Sequence, residues 1–108
     1  IYPGLDNHED YELCKKILSS PSIMVCFVVK GGDSEGHKLM QNMQLSTQAV
    51  SLGGVESLIS MPCTTTHVSW KEEDRIAVGI NPGFVRFSTG IEDSEDLIAD
   101  FEQALNSL

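Results

Sequence analysis

Positive charge is scarce in this chain. Seven Lys and Arg residues stand against sixteen Asp and Glu, a formal net charge of −9 over 108 residues. Only Arg75 and Arg86 are arginines. A phosphate-binding face needs clustered bases, so the balance argues against nucleic acid or an anionic membrane as partner. Aromatics are few, at 6%, and no apolar run approaches the length of a membrane span. The three cysteines, Cys14, Cys26 and Cys63, form no Cys-x-x-Cys, and His-x-x-x-His is absent, so no common zinc or dithiol motif is present. Gly-x-x-x-x-Gly-Lys is missing too, which excludes a P-loop. An odd, unpatterned set of cysteines reads as small apolar fillers in a reducing compartment, and a cytoplasmic location is expected. No secretory leader is visible, and Ile1 is not an initiator methionine, so the chain reads as a piece of something longer.

What is present is an ordinary globular balance, 41% apolar and 21% charged, in a length that suits one domain over residues 1–108. Asp6 or Asn7 can cap a helix to about Leu18, with Tyr11, Cys14, Ile17 and Leu18 along one side. Ile23 to Val29 is almost continuously apolar and predicts a central strand buried on both faces. A second helix is expected from Asp33 or Ser34 to about Met43, with Leu39, Met40 and Met43 inward and His37 outward. Ser57–Ser60 reads as a strand stopped by Pro62, and 64–70 as a polar loop able to reach a cleft. Lys71 to Val78 is a short helix that Gly79 ends in a left-handed conformation. Phe84–Ser88 is a strand. The last helix opens on Asp93, Glu95 and Asp96, acids that suit its dipole, and carries Leu97, Ile98, Phe101, Ala104, Leu105 and Leu108 as an apolar stripe. Alternating helices and strands favour a two-layer α/β sandwich with helices over one face of the sheet.

Few residues carry chemistry. Arg86 lies between Val85 and Phe87, so in an alternating strand it projects to the face opposite both. On a solvated face it is a surface charge. Lining a pocket, its planar guanidinium matches the two oxygens of a carboxylate. Ser51 opens Ser-Leu-Gly-Gly, where Gly53 and Gly54 permit either a plain turn or a close ligand approach. Thr66 and His67 could contact a ligand as hydrogen-bonding groups, but His67 has no partner at metal-ligand spacing. Glu92 and Asp93 read as caps of the last helix rather than an acid–base pair.

Several of these blocks occur together in one family. Tyr2-Pro3-Gly4-Leu5, the strand before Lys30-Gly31-Gly32, Ala49 through Leu58, Pro62 through His67 and Val85 through Asp93 follow one another in the right order. They resemble the C-terminal domain of the transsulfuration family of pyridoxal-phosphate enzymes, which includes cystathionine γ-lyase and methionine γ-lyase. The resemblance covers nearly the whole chain. It implies the small domain of fold-type I pyridoxal-phosphate enzymes, with helices on one face of a small, largely antiparallel sheet. It implies that Ser51 and Arg86 hold the α-carboxylate of an amino-acid substrate, that Thr66 lies on the substrate side of the cleft and that Val50 tunes side-chain preference. Glutamate at that position is typical of cystathionine γ-lyases, and valine is closer to methionine γ-lyases. Pyridoxal 5′-phosphate would be the cofactor, bound by a large domain that is this domain's partner in a homotetrameric parent. No catalytic residue is expected in this chain, and on its own it should be inactive. Cys63-Thr64-Thr65 and Thr89 depart from the family pattern, as does the short Leu18–Ser22 segment, and no Ser-x-x-Lys motif is present. Phe87 leans towards the γ-synthases and sulfhydrylases that use acylated homoserine. A non-catalytic amino-acid-binding module stands as the reading from a different class.

Overall fold

Phe84–Ser88 (β4) is the middle of the sheet, as its alternation requires. In the computed structural model, which describes residues 1–108, Val85 and Phe87 are buried while Arg86 between them is only partly covered. The sheet order is β1-β4-β3-β2, with β1 at Met24–Val28, β2 at Thr47–Gln48 and β3 at Leu58–Ser60. β4 pairs antiparallel with both β1 and β3, and β2 adds parallel to β3. The expected two-layer α/β arrangement and largely antiparallel sheet are therefore found.

Two helices cover one face. α2 (Asp33–Asn42) brings Leu39 and Met40, followed by Met43 just beyond its end, and α4 (Ser94–Leu105) brings Leu97 and Ala104. These pack on Ile59, Val85 and Phe87 to form the core. Phe101 closes it with edge-to-face contacts to Phe27 and Phe87, at centroid distances of 5.8 and 4.9 Å. Asp93 caps α4, its carboxylate accepting from the Glu95 amide at 2.8 Å. Gly79 ends α3 (Glu72–Ala77) at φ 86°, the left-handed value expected of it.

Four expectations are corrected. β1 is an edge strand, not a central one: its residues are half-buried, and Val28 is exposed. Ile1 lies along its outer side, exchanging both backbone hydrogen bonds with Cys26. A continuous apolar run looks alike whether it is covered on both faces or, as here, walls an open apolar groove of about 430 Å³ with α4. Ile98 and Leu105 border that groove and stay exposed, so the last helix buries a narrower stripe than its sequence suggests. The first helix, α1, runs only Tyr11–Ile17, because residues 2–10 form successive turns closed by Leu5→Tyr2 and His8→Leu5 backbone bonds. Glu92 does not cap α4. Its carboxylate accepts from the Ser57 amide at 2.6 Å and the Ser57 hydroxyl at 2.8 Å, tying β3 to the start of the last helix.

Candidate functional site

The face of β4 without helices carries Arg86. Alternation puts Ser88 on the same face two residues on, and register puts Cys26 and Ser60 beside Arg86 on the flanking strands. The segment after β2 crosses this face. Ser88 helps to seat it, its hydroxyl accepting from the Gly53 amide at 3.1 Å, and Gly53 takes the left-handed φ of 73° that the turn requires. At the other end the Ala49 amide donates to the Ile59 carbonyl at 3.2 Å. Gly90 permits the close return of the chain, since a Cβ there would lie 2.5 Å from the Val55 carbonyl oxygen.

Arg86 spans from the strand to that segment. Its Nη2 donates to the carbonyl of Val50 at 2.5 Å and to that of Ser51 at 3.0 Å. Nη1 and Nε have no partner in the chain, and Arg86 belongs to none of its ion pairs. Among sixteen acidic residues, a guanidinium left without a carboxylate is an available one. The structure thus brings Val50, Ser51 and Arg86 together. Ser51 is exposed, and its hydroxyl makes no hydrogen bond within the chain.

Thr66 is not part of that group. Its hydroxyl lies 2.8 Å from Nδ1 of His67, which stacks edge-to-face on Trp70 at 4.8 Å. No hydrogen bond or cavity joins Thr66 to Val50, Ser51 or Arg86. The neighbouring Thr65 comes closer, lining a cavity of about 260 Å³ with Val50, His37, Gln48 and Ser60. His37 is therefore turned towards a cavity rather than wholly outward, for which its position on a polar helix face gave no sign. Ser88, by contrast, could have been found from the alternation that placed Arg86. The largest cavity, about 630 Å³ beside Trp70 and Lys71, shares no residue with this group.

The thiols nearby are protonated groups held above their ordinary range. Burial pushes Cys26 up, opposed by the Ile1 ammonium and by Arg86. Cys63 is raised by burial and then by Asp33, whose charge and hydrogen bond both favour the neutral thiol. At Cys26 burial outweighs the two nearby cations, and Cys63 faces the Asp33 carboxylate, so neither thiol is activated as a nucleophile.

The sequence profile described as "Cys/Met metabolism PLP-dependent enzyme" matches residues 1–106. The chain belongs to that family. It is similar to L-methionine gamma-lyase of Porphyromonas gingivalis, 47% identical over 107 residues, which are 99% of this chain and 27% of that protein. It is also similar to cystathionine gamma-lyase of Dictyostelium discoideum, 45% identical over 98% of this chain and 27% of the relative. Cystathionine gamma-lyase of Mus musculus is 42% identical, again over 99% of this chain and 27% of its own length. The chain thus spans about a quarter of each of these relatives. No helix in it is long and apolar enough to cross a membrane.

Proposed function

We propose that this chain is the C-terminal, substrate-carboxylate-binding domain of a pyridoxal-phosphate-dependent carbon–sulfur lyase. The parent would carry out γ-elimination on methionine, cystathionine or a related amino acid. The observation that carries this reading is Arg86, an unpaired guanidinium on the helix-free face, tied to the segment that bears Ser51 and Val50. A forked cation beside a free hydroxyl suits the two oxygens of an α-carboxylate. Holding that group fixes the orientation of the bonds at the substrate's Cα, which is a positioning contribution to catalysis. Thr66 would lie on the substrate side of the cleft, and Val50 would meet the substrate side chain.

The residues here do not fit pyridoxal phosphate itself. None of the five lysines lines the cavity beside Val50 or bonds to Arg86 or its segment, and Lys15, Lys38 and Lys71 are engaged with Glu12, Glu35 and Glu73. The cofactor and the lysine that would carry it are assigned to a separate large domain of a cytoplasmic, homotetrameric parent, and the 108-residue chain alone would be inactive. Three free thiols accord with the cytoplasmic assignment. Phe87 lends nothing to a γ-synthase, because it is buried in the core on the other face of β4 from Arg86.

The test is Arg86→Lys in the parent enzyme, with Lys71→Arg on the exposed start of α3 as control. Lysine keeps the charge and loses the planar two-point grip. Loss of one charge-assisted hydrogen bond, about 1.5–3 kcal/mol, lowers kcat/KM for the amino acid roughly ten- to hundredfold with cofactor content unchanged. An Arg86→Lys enzyme as active as the control removes the carboxylate role.

A further inference from the structure

The guanidinium of Arg86 is engaged at the one nitrogen that matters most for a carboxylate. A guanidinium offers two forks to a two-point ligand, Nε with Nη2 and Nη1 with Nη2, and both include Nη2. Nη2 carries two N–H groups, and the Val50 and Ser51 carbonyls occupy it at 2.5 and 3.0 Å. Neither fork is complete while both carbonyls stay. We infer that a carboxylate binds Arg86 by exchange, taking Nη2 from the 50–51 carbonyls and so loosening that segment. The inference deepens the carboxylate-binding reading above and rests on it.

The segment is built to be moved by such an exchange. Val50, Ser51 and Leu52 are exposed, and their amides donate to no acceptor in the chain. Between the Ala49 amide on Ile59 and the Gly53 amide on Ser88, the contacts from Arg86 are the only hydrogen bonds it makes. The released carbonyls are at the surface, where water replaces the lost donor. Val50 presents its carbonyl to Arg86 and also borders the cavity with His37, Gln48 and Thr65. Occupation of Arg86 is thereby linked to the shape of that cavity. By reciprocity, a side chain that favours the released position of Val50 tightens carboxylate binding. Arg86 is in this sense a positioning residue for the cavity wall as well as the anchor of the carboxylate.

The experiment uses the 108-residue chain, isotopically labelled, with sodium acetate as the carboxylate probe and sodium chloride as the ionic-strength control. Acetate is expected to shift the Arg86 Nε–H resonance and the Val50 methyls together, and to speed exchange of the Ala49 and Gly53 amides. Arg86→Met should speed those two amides by about tenfold with no anion present, the size expected from losing one net hydrogen bond, and acetate should add nothing further. The Val25 and Phe27 amides in β1 report whether the variant keeps its sheet. If it does not, Arg86→Lys, which retains the charge and one donor nitrogen, replaces it and should give a smaller increase. Acetate that shifts Arg86 while Val50, Ala49 and Gly53 stay still overturns the exchange and leaves the carboxylate reading standing. Acetate that moves none of them removes both.

Discussion

Two loops flank the short strand β2, and each is pinned by one charged side chain of opposite sign. Before it, residues 44–46 are held by Asp100 from α4. One carboxylate oxygen accepts from the Gln44 amide at 2.8 Å and Gln103 Nε2 at 3.0 Å, the other from the Leu45 amide at 3.0 Å. After β2, residues 50–51 are held by Arg86, which donates to carbonyls through a single nitrogen. Asp100 is 4% exposed, and both its oxygens accept hydrogen bonds from the fold. Arg86 is partly open, with two nitrogens idle. A charge with both oxygens used by the fold is a structural part; one left short of partners is open to a ligand. The same pinning device thus serves stability on one side of β2 and, under the proposed function, recognition on the other.

The sharpest way to break the comparison is to remove each pin. Asp100→Ala leaves the Gln44 and Leu45 amides without their part-buried acceptor and should cost about 2 kcal/mol in urea unfolding. The equivalent removal at the open site, Arg86→Met, should cost less than about 1 kcal/mol, because water reaches the freed carbonyls. Equal losses would erase the distinction between the two loops. Ser57→Ala lies between them. It removes a hydroxyl that donates to Glu92 and accepts from the Gly90 amide at 2.9 Å, and about 1–2 kcal/mol should be lost in the same titration.

Acid sharpens the contrast. Burial pushes Asp100 up, but hydrogen bonds from the Gln44 and Leu45 amides and Gln103 outweigh it and hold the carboxyl below its ordinary 3.8. Glu92 is held below 4.5 by the Ser57 amide and hydroxyl. A folded-state value below the unfolded one gives stability that is complete above the unfolded value and is lost as pH falls through the folded one. Stability should therefore decline on acidification below about pH 4.5, and Asp100→Asn should flatten the lower part of that decline. Arg86→Met should leave the slope as it is. Urea midpoints across the acid range measure all three.

The smallest effect is at Cys63, whose thiol is raised by burial and by Asp33. Its alkylation at pH 8 should lag behind that of a free thiol, and Asp33→Asn should narrow the gap. A rate unchanged by that substitution would separate Asp33 from the thiol.

Where a stretch of sequence contains its own partners, its structure was legible. Alternation in β4 gave the face of Arg86, and acids before an apolar stripe gave α4 and its Asp93 cap. Gly79 marked the end of α3 because only the local backbone decides a left-handed turn. Partners far apart in the chain were not legible. Glu92 looks like a second cap beside Asp93 until Ser57, thirty-five positions earlier, is seen to take its carboxylate. β1 reads as central because an apolar run does not disclose that one side of it walls an open groove. At the candidate site, alternation told the face of Arg86, and the carboxylate roles expected of Ser51 and Arg86 came from the family resemblance, whereas the Val50 carbonyl contact depends on backbone direction and leaves no mark in composition.

The strand order has a consequence for how the chain is made. β4 is the last strand synthesised and the only one that touches both β1 and β3. Until residues 84–88 have emerged, β1 has no neighbour beyond Ile1 and β3 has only the two residues of β2. The ladders that β4 makes with β1 and β3 therefore cannot form until residues 84–88 are available, so the sheet is completed late in synthesis.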